Sequence, residues 1–458
     1  MNIAKKSLIG EMFRDKPFMR RMLVISIPIM LQQLITTAMY MVDTVMIGGL
    51  GDIQLAGVGA ANQLAYLLDI VLFGVMSGGG VYMSQYFGKG DTKGLRSTLG
   101  LSTILCLGFS VLFVIIASVF GRLIVGLYST EAAVIDSGVE YLSIACIGYL
   151  FKAIIYPYGM AHKSSGNAKL PMISGAIALS VNIFFNYCFI FGNLGFPKLG
   201  VAGAAYATLI GSACDAGALL FFSYIKETVA KARLHELLAQ TWNGVKEFIS
   251  ISMPAFLNDA LWAIGMLVIN YIYGRMGTDT FAAMMIVNTV DKLTMVGLMG
   301  VGSAAAVVLG NTLGEGDPDR AYLYGKRYVV LSVMVGIIFG VICSTVGTLM
   351  PLMYQNTSMH VQALSARTIF VMGFFMPIYA VNFTIVCGIL RSGGDTRAAA
   401  WIDLIPLWLL ALPITAVAGL YFKLPLDIVF LCVFPNNVVR MIMTTTRLRS
   451  KYWLRSLV

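Results

Sequence analysis

Long apolar runs and short polar turns alternate along the whole chain. Twelve runs read as helices, at roughly 20–48, 53–86, 97–128, 135–161, 170–193, 199–225, 247–274, 280–313, 322–351, 362–390, 399–421 and 425–445. A membrane-crossing helix needs about 20 mostly apolar residues. Several runs are longer, so tilt, kinks or projecting ends are expected. Barrel strands would alternate over about ten residues, which is not the pattern here. The pattern predicts an all-α polytopic membrane protein with twelve transmembrane helices. The first run is too long for a secretory signal and lacks a small-residue cleavage site, so no cleavable leader is expected.

Polar residues inside the runs are few and spaced. In the first, Gln32, Thr36, Tyr40 and Asp43 fall three or four apart and make one stripe on an apolar helix. A carboxylate in a bilayer costs at least about 2.5–3.5 kcal/mol, so Asp43 must face a polar interior. It reads either as an ion or proton site or as a hydrogen-bonded structural carboxylate near the surface. The stripe likewise either lines a cavity or bonds neighbouring helices. The second run carries Asn62 and Asp69, seven apart, then Ser77-Gly78-Gly79-Gly80, a patch suited to close helix approach. The fifth carries Asn182 and Asn186 on one face. An amide in hydrocarbon needs a partner, and Asp43 is the candidate. The small-residue stretch Gly200–Thr208 allows close packing that brings Thr208 to the same spot. Later runs hold Asn258 and Asp259 just after Pro254, then Asn288, Asp291 and Lys292, then Asn382 and Asp403. Asp69, Asp259 and Asp291 either give a substrate cavity negative character or are paired with Lys292 and backbone groups.

The two halves repeat. Ile25–Asp91 aligns without a gap on Ile251–Asp317, and eighteen of 67 positions are identical, among them Pro28/Pro254, Gly48/Gly274, Gly51/Gly277 and Asn62/Asn288. Shared apolar composition scatters matches but does not readily fix Pro, Gly and Asn at constant spacing. Two pseudo-symmetric six-helix bundles follow, 1–225 and 247–458, joined by a linker at 226–246. An even number of spans separates the repeats, so both insert with the same orientation. The symmetry axis then lies along the membrane normal, with the substrate site between the halves near mid-membrane. Ile269 stands where Asp43 stands in the first half, so the halves are chemically unequal.

Composition agrees with the pattern: 58% of residues are hydrophobic and 12% charged, against about 25% charged in soluble domains. The net charge of +10 is distributed by side of the membrane rather than gathered for a nucleic acid. With alternating spans, 25 of the 32 basic residues fall on the side that holds both termini. The positive-inside rule makes that side cytoplasmic and makes the N-terminal arm and C-terminal tail basic. The linker is either a surface amphipathic helix or a solvated connector. The seven cysteines all lie in apolar runs and read as buried small hydrophobes. The three histidines are isolated, with no zinc-protease motif or catalytic carboxylate pairing, so no enzyme is expected.

These residues resemble the multidrug and toxic compound extrusion (MATE) transporters over nearly the whole chain. The resemblance rests on the Pro28-to-Asp43 spacing with Met41-Val42-Asp43-Thr44-Val45-Met46-Ile47-Gly48, and on the Gly-x-Gly-Asp turns at Gly88 and Gly314. Gly200–Thr208 and Arg391-Ser392-Gly393-Gly394-Asp395-Thr396 match as well. The resemblance implies a secondary antiporter in the cytoplasmic (inner) membrane, working as a monomer without a cofactor. H⁺ or Na⁺ entry would drive export of amphipathic, cationic organic compounds. Asp43 matches the family's first-span coupling carboxylate, a place for a proton or Na⁺. Asn182 and Asn186 match the Asn-x-x-x-Asp pattern of the DinF-like branch, with Asn186 in the Asp position, and Thr208 joins them. Trp262 and Ala380 occupy the places of the second-lobe acids of the NorM-like branch. The remaining polar set, Gln32, Thr36, Tyr40, Asn62, Asp69, Asp259, Asn288, Asp291 and Asn382, falls to the substrate cavity. Membrane lipid is the other expected partner. A flippase for a lipid-linked glycan precursor is the alternative; it would need a cationic cavity, whereas the intramembrane charges here are mostly acidic.

Overall fold

The structure, a computed structural model, describes residues 8–238, 240–353 and 357–458. Lys5 and Lys6 of the basic arm lie outside the described residues. A short helix α1 (Leu8–Arg14) leads into α2 (Lys16–Gly48), α3 (Asp52–Lys89) and α4 (Thr92–Gly126). Then come α5 (Ala132–Ala145), α6 (Gly148–Ser164), α7 (Lys169–Phe191), α8 (Val201–Ile225) and the single turn α9 (Leu234–Leu237). The second half runs α10 (Trp242–Arg275), α11 (Thr278–Gly314), α12 (Pro318–Met353), α13 (Met359–Leu390), α14 (Thr396–Tyr421) and α15 (Leu426–Arg449). Among the described residues, eleven helices are long and apolar enough to cross a membrane, and the bent pair α5–α6 makes a twelfth span.

The fourth run, expected as one helix over 135–161, breaks by 52° between Ala145 and Gly148. There the backbone tightens into three-residue turns, Ile147 N–H to Ile144 O and Tyr149 N–H to Cys146 O. Wide π turns appear at Thr384–Leu390 of α13 and at Leu407–Ala411 and Val417–Tyr421 of α14. The two in α14 follow Pro406 and Pro413, each of which removes an N–H from the ladder.

The internal repeat is visible in the backbone. Gly90 and Gly316 both take φ of 78° and end α3 and α11. A left-handed residue closes a helix without the Cβ clash other side chains suffer. The aspartate that follows caps the next helix in each half: Asp91 accepts from Gly94 N and Asp317 from Arg320 N, both at 2.9 Å.

The chain folds into two compact units. One is Ile27–Phe256. The other is Leu257–Val458 together with the N-terminal segment ending at Ser26. The boundaries therefore fall inside α2 and α10, beside Pro28 and Pro254. In the first unit, the opening turns of α10 pack on the small-residue face of α3. A Cβ on Gly78 would collide with Ser252 Oγ, and one on Gly74 would fall 2.7 Å from the Phe256 ring; Phe248 stacks on Tyr82. In the second unit, the opening turns of α2 pack on α12. Phe18 sits against Tyr324 and Tyr328, and Asp15 pairs with Arg327 at 2.5 Å.

The first unit is built on close helix contacts. Gly57 of α3 and Gly138 of α5 meet so tightly that a Cβ on either would lie 2.7 Å from a carbonyl oxygen of the other helix. Small residues set such interfaces because lipid removes the hydrophobic drive between helices. The linker packs against α4: Arg96 donates to Glu236 Oε1 at 2.8 Å and to Val229 O, and Ala230 and Ala232 are buried. In the second unit the core gathers Val287, Leu298, Cys343, Ile369, Ala380 and Leu426. Its C-terminal tail folds back. Trp453 is fully buried and donates from Nε1 to Leu448 O, and its carbonyl lies against Gly393.

Candidate functional site

In the first unit, α2 and α7 bring together residues far apart in sequence. Asn186 Nδ2 donates to Asp43 Oδ1 at 2.6 Å and to Asn182 Oδ1 at 3.0 Å. Both asparagines are fully buried on one face of α7. Asn182 Nδ2, Asn186 Oδ1 and, on α8, Thr208 Oγ1 are buried polar atoms without a hydrogen-bond partner among the described residues. Tyr141 of α5 joins them: it is buried, and its hydroxyl lies beside Thr208 and Asn62. Sequence reasoning passed over Tyr141; the available signal was that a tyrosine hydroxyl deep in an apolar run needs a polar partner. This set places oxygens from a carboxylate, an amide and two hydroxyls together, the donor chemistry suited to a proton or a small hard cation. The packing of Gly211 of α8 against Ala178 and Asn182 of α7 lets the two helices approach closely enough to assemble it.

Asp69 has a different environment. Its Oδ1 accepts from Lys152 Nζ at 2.6 Å and from the Tyr156 hydroxyl at 3.1 Å, and its Oδ2 accepts from Tyr40 at 3.4 Å. Lys152 is thus its main partner. The first-helix stripe is partly satisfied within its own helix: Thr36 Oγ1 donates to Gln32 O. Gln32 Oε1 is buried without a partner among the described residues.

The second unit gathers its charges into pairs. Arg391 grips Asp259 through two N–H···O contacts, 2.7 and 3.3 Å. Arg440 pairs with Asp403, which also accepts from Asn258 Nδ2 at 3.1 Å. Asp259, expected with the cavity, is therefore neutralised in place. Asn288 donates to Asn270 Oδ1 at 3.4 Å, and Asp291 lies one turn further along α11, within electrostatic reach of Tyr379 and Cys343. Asn382 is fully buried and ties α13 to α15, donating to Asn437 O and accepting from Thr444 Oγ1. Among the described residues no cluster of three or more His, Cys, Asp or Glu could hold a metal ion.

The model of the MatE family matches this chain twice, over residues 28–188 and 254–417. The chain belongs to the MatE family. The two matched stretches begin 226 positions apart, the spacing of the repeat. Relatives of this MatE protein include a probable multidrug resistance protein NorM of Thermotoga maritima, 26% identical over 414 residues, covering 90% of this chain and 88% of the relative. A multidrug resistance protein MdtK of Edwardsiella ictaluri is 25% identical, with 86% of each chain covered. Among solved structures, a MATE protein in the bent conformation superposes with a TM-score of 0.85 at 18% identity, over 98% of this chain and 99% of its own. The fold is that of the twelve-helix, two-lobe MATE transporters, and the protein resides in a membrane.

Proposed function

We infer that this MatE protein is a secondary antiporter that exports amphipathic, cationic organic compounds in exchange for H⁺ or Na⁺ by alternating access of its two halves. The observation that carries this reading is the setting of Asp43. Its hydrogen-bond partner is the neutral amide of Asn186, whereas Asp69, Asp259 and Asp403 each have a basic partner. A carboxylate held by neutral donors takes up and releases a cation without displacing a resident one. The names of the NorM and MdtK relatives support export of drugs. Asn182 and Asn186 favour the DinF-like branch, and a monomer in the inner membrane with both termini cytoplasmic fits the distribution of basic residues. Halves at 1–225 and 247–458 with a linker at 226–246 are the units that the repeat supports.

In this mechanism Asp43 binds H⁺ or Na⁺ from the outer side. Neutralisation removes its demand for solvation, and α2 repacks by bending at Pro28, which shrinks the first-half cavity and expels the substrate. Only an ion that binds the two states unequally drives such a shift. The flippase reading is not favoured, because Arg391 and Arg440 of the second unit are already paired with Asp259 and Asp403. Proteoliposomes with pH and Na⁺ gradients imposed separately test the proposal. Asp43→Asn should insert and fold but lose gradient-driven export of ethidium, and Asn186→Asp should shift the ion or pH preference without abolishing transport. Export by Asp43→Asn at the parental rate would make the carboxylate structural and refute the mechanism.

A further inference from the structure

The surroundings of Asp69 form a recognition site for an ammonium group, and this chain supplies an ammonium of its own. Lys152 Nζ sits 2.6 Å from Asp69 Oδ1 and 5.8 Å from the centre of the Tyr149 ring. The hydroxyls of Tyr156 and Tyr40 complete the set on the two carboxylate oxygens. A carboxylate beside an aromatic face is the chemistry that receives organic ammonium ions. The three helices that build it, α2, α3 and α6, all contribute these residues from the first unit. Tyr40 lies one helical turn before Asp43, so the subsite adjoins the coupling site.

The pair differs from Arg391–Asp259 and Arg440–Asp403 of the second unit. Those use arginine, whose planar fork suits a permanent pair, and the Arg391 and Arg440 side chains are only 6% and 11% exposed. Here the cation is a lysine on a flexible stem, and both partners keep 19% of their side-chain surface open. Tyr40 is 53% exposed. A lysine ammonium held by one short contact can withdraw and be replaced, charge for charge, by an ammonium arriving from outside.

We propose that Asp69, Tyr149, Tyr156 and Tyr40 form the subsite for the ammonium head of an organic cation, and that Lys152 is a tethered competitor which the substrate displaces. This rests on the export reading above and adds the place where the charged end of the substrate binds. The resident lysine sets a threshold. A small inorganic cation gains no ring contact large enough to evict a tethered ammonium, so Asp69 is reserved for organic cations that bring both charge and apolar surface. Lys152 is a specificity residue in this scheme, and Asp69 the anionic anchor.

Equilibrium binding of ethidium to the purified full-length protein in nanodiscs, read by fluorescence polarisation, tests this. A tethered group competes at an effective concentration in the millimolar range, so Lys152→Met should bind ethidium about tenfold more tightly than the parent. Asp69→Asn should weaken binding, and the double variant should lose the gain. As a second readout, acylation of Lys152 by a water-soluble amine reagent should speed up when ethidium is bound, because the displaced ammonium is freed. Unchanged or weaker binding by Lys152→Met, or a gain that survives in the double variant, overturns the subsite. If ethidium is still exported under a gradient in that case, the export reading stands. If the parent neither binds nor exports ethidium, the export reading itself falls.

Discussion

Replacing Arg391 by Met would leave Asp259 as a lone carboxylate in the second unit. The guanidinium holds it by contacts of 2.7 and 3.3 Å, with the Arg391 side chain 6% and the Asp259 side chain 19% exposed. Removing one member of a buried pair costs about 3–5 kcal/mol, because the other is left uncompensated. Asp259 keeps some access to water, so the lower end, about 3 kcal/mol, applies. For a unit of this size that lowers the unfolding midpoint by on the order of 6–12 °C. Intrinsic tryptophan fluorescence during heating in detergent is a suitable assay, since Trp262, Trp401, Trp408 and Trp453 all belong to the second unit and Trp242 alone to the first. The double variant Arg391→Met/Asp259→Leu removes both charges and should recover most of the loss, because Asn258 keeps its bond to Asp403. A single variant as stable as the parent, or a double variant no better than the single, would refute the assignment of Asp259 to this pair.

Two further outcomes are expected. Trp453→Ala should cost about 3–5 kcal/mol, as deletion of a fully buried aromatic does, and should release the tail so that trypsin cleaves at Arg449, Lys451 and Arg455, which are already exposed but held in folded backbone; Gly393→Ala should mimic it, since its Cβ would collide with the Trp453 carbonyl oxygen. Burial pushes the Asp15 carboxyl up, but the Arg327 guanidinium and the Phe18 N–H outweigh it and hold it below the usual range. Its folded value is depressed, so its contribution is present above the ordinary carboxylate range and lost as pH falls through the folded value. Asp15→Asn should therefore destabilise at neutral pH and match the parent in strong acid, measured as unfolding midpoint against pH.

Much of the fold was legible because bilayer chemistry leaves few choices. Runs of twenty apolar residues read as spans, and the Gly-Asp turns matched between halves revealed the repeat. The break between Ala145 and Gly148 was not legible, since the apolar run continues through it without a proline. The Asn182/Asn186 pair could be placed against Asp43 because a buried amide demands a partner. The partners of Asp69 and Asp259 could not be read, because Lys152 and Arg391 lie 83 and 132 residues away and no local pattern ties them. Tyr141 was hidden for the same reason: its hydroxyl acquires meaning only once α5 is set beside α8.

The opening turns of α2 belong to a compact unit whose other residues begin at Leu257, and the bond between Asp15 and Arg327 spans 312 positions. These turns are synthesised before the rest of their unit and meet their native neighbours only after α12 has been made. Contacts of such separation are slow to form. Eight spans are made before α12, the partner of these turns. The same arrangement means that neither repeat is a self-sufficient folding unit. A gene cut in the 226–246 linker would yield two fragments, each lacking a piece of its own packing, and they should accumulate only when made together.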